Sequence, residues 1–258
     1  MEQNTVSATY NDKGTIIMEM LYGEPEYLSP GGDAKTQALI DLARLDRGLR
    51  VLDVGSGLGG SAFYLAQEQA CRVHGIDLMA SNAAEAKRRA GLKILQGQVD
   101  FISGDAVALP FSDQRFDVVW GQDAWCHVDD KATLIAEVKR VLVEGGQIVF
   151  SDWLVNKPGH IRASELYEVA ASANMASLEM YQDLIREEGL HIEACLDTSD
   201  DLRKEYHHVL ARLRAFETSI VEQYGQKVFD IVLSTQQYMF DACEEGLLGS
   251  GSLVAKKL

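Results

Sequence analysis

The segment Val51-Leu52-Asp53-Val54-Gly55-Ser56-Gly57-Leu58-Gly59-Gly60-Ser61 constrains this chain more than any other. A short apolar run, a glycine cluster and a helix-forming stretch predict a strand that turns sharply into a helix. Glycines allow that turn and let the backbone approach a ligand with no Cβ in the way. Asp53 falls at the carboxyl end of the strand, where it can meet a ligand ammonium. The spacing Gly55-x-Gly57-x-x-Gly60 also satisfies the dinucleotide pattern, so the glycines alone leave the nucleotide open.

The same alternation continues downstream. Apolar runs at 50–54, 72–77, 99–103, 116–121 and 146–152 are separated by helical segments. This predicts an α/β fold with a mostly parallel, Rossmann-like sheet covered by helices on both faces. Upstream, a polar lead-in and a turn signal at 27–32 precede a helix carrying Ala38, Leu39, Leu42 and Leu45. After Trp153 the order changes: 161–185 read as helical, 191–196 as a strand, and 200 to about 245 as one or two long helices. A last strand, expected to be antiparallel, follows at 249–258. The expected organisation is one domain over 1–258. It comprises an N-terminal lid or helix (1–48), a nucleotide core (49–155), an inserted helical cap (156–248) and the closing strand.

The second and third strands narrow the ligand. Gly75-Ile76-Asp77 ends a strand with a carboxylate placed to accept both ribose hydroxyls of an adenosine. Gly104-Asp105-Ala106 offers a carboxylate to an adenine amino group. A nicotinamide enzyme would share Asp77 but would not ask for Asp53 or Asp105.

Charge and cysteine usage bound the partners. With 24 basic against 39 acidic residues the chain carries a formal −15, a field that repels phosphate backbones and disfavours nucleic-acid substrates. No stretch approaches the roughly 18 apolar residues of a membrane span. The four separated cysteines and the polar N-terminus fit a cytoplasmic protein with reduced thiols and no metal site. Oligomeric state is not legible.

Asp53 to Gly59, Asp77, Gly104-Asp105-Ala106 and Phe116-Asp117-Val118-Val119 resemble, in order, the motifs of class I methyltransferases that use S-adenosylmethionine (SAM). The resemblance implies SAM as cofactor and S-adenosylhomocysteine as product. It places Asp53, Gly55 and Gly57 at the methionine moiety, Asp77 at the ribose, and Asp105 and Ala106 at adenine, with Ser56, Leu78 and Gln122 also among the cofactor-binding residues. Asp123 does not begin an Asp/Asn-Pro-Pro-Tyr motif, which argues against methylation of DNA bases.

A narrower resemblance follows from Tyr10-Asn-Asp-Lys-Gly14, Tyr22-Gly23-Glu24 and Tyr27-Leu28-Ser29-Pro30-Gly31-Gly32, which look like phosphoethanolamine methyltransferases. It implies a catalytic pair, Tyr10 and His127, with Ser29 on the SAM carboxylate. The segment 120–127 and Asn174-Met175-Ala176-Ser177-Leu178 look more like sarcosine/dimethylglycine methyltransferases. Of the cap residues that clamp phosphate in the former family, Tyr167 matches one tyrosine. Trp153 replaces another, and the expected cations fall near Ala171 and Met239. Losing a guanidinium and an ammonium removes most phosphate affinity. A small amine or amino acid is therefore the expected acceptor, with His127 as base. Trp125, Trp153 and Tyr167 would line the acceptor pocket, the tryptophans as a cage for a methylated amine. Trp120 and Cys126 read as core, and His207-His208 as surface. An O-, S- or C-methylating enzyme of small metabolites, or a non-catalytic SAM-binding subunit, are the alternatives.

Overall fold

A computed structural model describes residues 12–95, 97–157, 160, 163–172 and 175–258. Tyr10 and Asn174 lie outside them. Two helices, α1 (Asp12–Tyr22) and α2 (Gly32–Ala43), lead into β1 (Arg50–Val54), α3 (Gly60–Gln69), β2 (Arg72–Asp77), α4 (Ala80–Leu92) and β3 (Val99–Ser103). Then come β4 (Phe116–Gln122), a 3₁₀ turn at Trp125–His127, α5 (Lys131–Val141) and β5 (Leu142–Val155). The chain closes with α6 (Ala163–Val169), α7 (Leu178–Glu187), β6 (His191–Asp197), α8 (Ser199–Ala215), α9 (Glu217–Tyr224), α10 (Gln226–Glu244) and β7 (Leu248–Lys256).

The strands form one sheet in the order β3-β2-β1-β4-β5-β7-β6. β1 to β5 pair in parallel, and β7 runs antiparallel between β5 and β6. Successive residues point to opposite faces, so each strand feeds two cores. Leu52, Val119, Ile148 and Phe150 join the core under α5 and α7, whereas Val51, Val118, Trp120 and Val149 join the core under α2, α3 and α4. Strands buried on both faces explain the unbroken apolar runs.

A third core sits above the sheet's carboxyl edge. Leu202, Tyr206, Val209 and Leu213 recur at helical spacing along α8 and pack with Ile17 and Leu21 of α1, Leu166 of α6 and Phe229 and Met239 of α10. Arg212 of α8 donates to the carbonyls of Leu21 and Tyr22, tying the N-terminal helix to the cap. Among the described residues, no helix is long and apolar enough to cross a membrane.

The structure differs from the expected pattern in the cap and at strand ends. The helical reading of 161–185 is broken: Ala171 adopts φ 52°, and Ser177 caps a separate α7 by accepting from Met180 N–H. The stretch from 200 to 245 is three helices: Phe216 separates α8 from α9, and Gly225 at φ 89° ends α9 and starts α10. β5 extends to Val155, three residues past the expected end.

Candidate active site

A cavity of about 960 Å³ opens at the carboxyl ends of β1, β2 and β4, near the upper bound of about 1,000 Å³ common for ligand pockets. Its floor follows from the first glycine loop. Gly55 has φ 83°, and a Cβ there would lie 2.3 Å from the Ala124 Cβ. The turn brings Gly55 and Ser56 N–H onto the Ile76 carbonyl, at 2.8 and 3.1 Å. Gly57 N–H then donates to Asp77 Oδ2 at 2.8 Å, and Met79 N–H to Asp77 Oδ1 at 2.9 Å. Burial raises the Asp77 pKa, and these N–H groups oppose the rise.

Three buried polar atoms lining this cavity have no protein partner: Asp53 Oδ2, Ser56 Oγ and Gln122 Nε2. Asp53 is 2% exposed; burial, and then the charge of Asp77, push its pKa up to about 7. The Gln122 amide is oriented by Thr36 and Ser61, whose hydroxyls each donate to Oε1 at 3.0 Å. Orphaned buried groups are uncommon in native proteins, so three in one cavity indicate a polar ligand. Ser29, Leu78, Asp105 and Ala106 line the same space.

Across the cavity stands the 3₁₀ turn that carries His127. Trp125 Nε1 donates to the Val54 carbonyl at 3.1 Å, and its ring stacks on Phe150 with centroids 4.5 Å apart. Gly121 makes this possible, since a Cβ there would lie 2.4 Å from Trp125 Nε1. Cys126 N–H donates to Asp152 at 3.0 Å, and the Ser172 hydroxyl donates to the Cys126 carbonyl. His127 Nδ1 is 3.0 Å from the Ala171 carbonyl, an acceptor, so Nδ1 carries the hydrogen and Nε2 the lone pair. Burial lowers the His127 pKa, which keeps the ring neutral at neutral pH.

Most of the residues expected at a site meet here. Ser29, Asp53, Gly55, Ser56, Gly57, Asp77, Leu78, Asp105, Ala106, Gln122, Trp125, His127 and Tyr167 all line the one cavity. Trp153 does not: it is 6% exposed and packs in the cap core, its ring centroid 6.4 Å from that of Tyr206. The reason is strand alternation, because β5 continues past Trp153 and turns that side chain toward α8. Trp120 and Cys126 are buried, while His207 and His208 are exposed.

Sequence reasoning missed Asp123. It adopts φ 54° at the end of β4, and Lys35 of α2 donates to both its carboxylate oxygens, at 2.7 and 2.5 Å. The Ser151 hydroxyl adds a third bond at 2.9 Å. An aspartate four residues before the candidate base was the available signal. Glu26, Asp129, Asp130 and Glu168 also line the cavity, and no lysine or arginine does among the described residues. Nor, among these residues, does any group of three or more His, Cys, Asp or Glu side chains form a metal site.

A family model described as a methyltransferase domain matches residues 52–150. The 27-O-demethylrifamycin SV methyltransferase of Amycolatopsis mediterranei is 30% identical over 226 residues, covering 86% of this chain and 82% of that protein. The chain belongs to the class I SAM-dependent methyltransferases. A phosphoethanolamine N-methyltransferase of Triticum aestivum is 27% identical over 87% of this methyltransferase and 44% of its own length. The chain thus spans about half the length of the phosphoethanolamine N-methyltransferases it matches. The fold is also that of Haemonchus contortus phosphoethanolamine N-methyltransferase 2, with a TM-score of 0.90 at 23% identity, covering 100% of this chain and 60% of that one. The donor set of the cavity fits the family's cofactor: an unpaired carboxylate suits an ammonium, and an unpaired amide N–H suits a carboxylate.

Proposed function

We propose that this methyltransferase transfers a methyl group from SAM to the nitrogen of a small amine that carries no phosphate. The observation that carries this reading is the charge of the cavity. Its lining holds eight carboxylates, of which Asp123 is paired with Lys35 and Glu26 with Lys93; the other six are Asp53, Asp77 and Asp105 on the cofactor side and Asp129, Asp130 and Glu168 toward His127. With no lysine or arginine in the described lining, a cationic acceptor is attracted and a phosphate monoester is not.

Asp53 would meet the cofactor ammonium, Asp77 the ribose hydroxyls, Asp105 and Ala106 the adenine, and Ser29 and Gln122 the carboxylate end. When bound, SAM supplies an electrophilic methyl on a sulfonium, displaced in line by a nucleophile. The remaining tasks fall to the chain. An ammonium has no lone pair, so His127 Nε2 takes its proton, and the neutral amine nitrogen then attacks. Holding nitrogen and methyl in line is worth about 7 kcal/mol or more of the barrier. Trp125 and Tyr167 would flank the acceptor, and Tyr10, from the N-terminal segment, would pair with His127.

The test is His127→Gln, which keeps a polar side chain without a titratable base. Turnover should fall about 10²–10⁴-fold while the SAM dissociation constant stays within about twofold. Unchanged turnover would remove His127 from the base role. The O-methyltransferase relatives favour a second reading, an oxygen acceptor deprotonated by the same histidine. The four free cysteines and the acidic surface further support a reducing cytoplasm and a small-molecule rather than nucleic-acid acceptor.

A further inference from the structure

We infer that Lys131 and Asp152, a buried pair of opposite charge beneath the 3₁₀ turn, are positioning residues that set the orientation and proton affinity of His127. The inference rests on His127 acting as the base.

Both side chains are far from water. Lys131 is 2% exposed and Asp152 is fully buried. Burying an ammonium and a carboxylate costs several kcal/mol per ion before compensation, whereas a leucine could fill the same volume. Their bonds converge on the turn. Lys131 Nζ donates to the Val128 carbonyl at 2.5 Å, just after His127. Asp152 Oδ1 accepts from Cys126 N–H, just before it, and Oδ2 accepts from the Tyr181 hydroxyl at 2.5 Å. With Ser172 on the Cys126 carbonyl and Ala171 on His127 Nδ1, the base is held from both sides in sequence and from below.

The pair also acts through charge. Lys131 lowers the proton affinity of His127, adding to burial and opposing the Ala171 hydrogen bond. Burial raises the Asp152 pKa to about 6, and Lys131, Tyr181 and Cys126 N–H hold it down against that effect. Other ionisable groups face the turn from every side. Asp123, backed by Lys35, ends β4, and Asp129 and Asp130 follow the turn. Tyr167 and Glu168 come from α6, Tyr181 from α7, and the Cys126 thiol, its pKa raised by burial, lies within the turn. Lys131 and Asp152 differ from these in being bonded to the backbone on either side of His127.

The test is an NMR titration of isotope-labelled histidine in the full chain, with the His127 signal assigned by its loss in His127→Gln. Lys131→Met should raise the His127 pKa by about half a unit or more, because a buried like charge is gone. Asp152→Asn should move it the opposite way, since the lysine charge is then uncompensated. In both, kcat should fall about tenfold with SAM affinity kept within about twofold, as for partners that orient a working side chain. A His127 titration unmoved in Lys131→Met would overturn the inference, as would shifts of the same sign in both variants. If neither variant folds, Tyr181→Phe removes one hydroxyl from the cluster; unchanged kcat and unchanged titration there would equally overturn it. Turnover surviving in His127→Gln would sink the base reading alone, leaving the titration shifts to stand by themselves.

Discussion

On the cofactor side of the cleft, Asp53 Oδ2, Ser56 Oγ and Gln122 Nε2 are buried without partners, whereas across the cleft the turn around His127 is bonded at Trp125, Cys126, His127 and Val128. The first region keeps unmet polar groups for a ligand whose own atoms complete them. The second is completed internally, so that one ring holds a fixed tautomer and position. On the proposed reading, binding energy and base placement come from differently built halves of one cavity, and perturbing either should leave the other intact.

The sharpest break between them is Asp77→Ala against His127→Gln. Removing Asp77 deletes the acceptor of two loop N–H groups and the expected ribose contact, so SAM affinity should fall about a hundredfold or more by calorimetry. His127→Gln should leave that affinity alone. Equal losses of binding in both variants would show that the halves are not separable.

A smaller effect comes from pH. Burial and the Asp77 charge push the Asp53 pKa up to about 7, so protonation sets in as pH falls through that value. A ligand ammonium favours the ionised carboxylate. SAM affinity should therefore weaken as pH falls through 7, by at most about tenfold per unit, and level off above it. The sign for folding is opposite. Because the folded pKa lies above the unfolded value of 3.8, this group's contribution favours folding at low pH and is lost as pH rises toward 7. Asp53→Asn should flatten both dependences, and an affinity rising on acidification would contradict the assignment.

The cofactor half was legible because its signal is local. β1, the glycine loop and Asp77 are written in backbone requirements within 27 consecutive positions, 51–77. The other half depends on partners distant in sequence. Lys35 and Asp123 are 88 positions apart, and Asp152 and Tyr181 are 29 apart; neither pair has a pattern to announce it. The break at Ala171 was hidden for a related reason, since an alanine in the left-handed region gives no warning that a glycine would. Trp153 lies in the cap core and not along the cavity because its face depends on where β5 ends, which the sequence pattern does not specify.

Trp153 supplies the smallest expected effect. Its indole packs against the cap, with Nε1 unpaired, so Trp153→Phe should change kcat/KM by no more than about twofold. Trp125→Phe breaks the bond to Val54 at the cavity wall and should cost about tenfold. Steady-state kinetics on both, with the reverse order as the contradicting result, places the acceptor relative to the two rings.

The central claim, an acid-lined cavity for an unphosphorylated amine, is tested most directly by the transfer of labelled methyl from SAM in a competition panel. The panel comprises sarcosine, dimethylglycine, glycine, simple amines, phosphoethanolamine, phenols and thiols. The account predicts label in an amine nitrogen, with phosphoethanolamine a poor substrate. Label found chiefly in phosphoethanolamine, or only in a phenol or thiol, would contradict it.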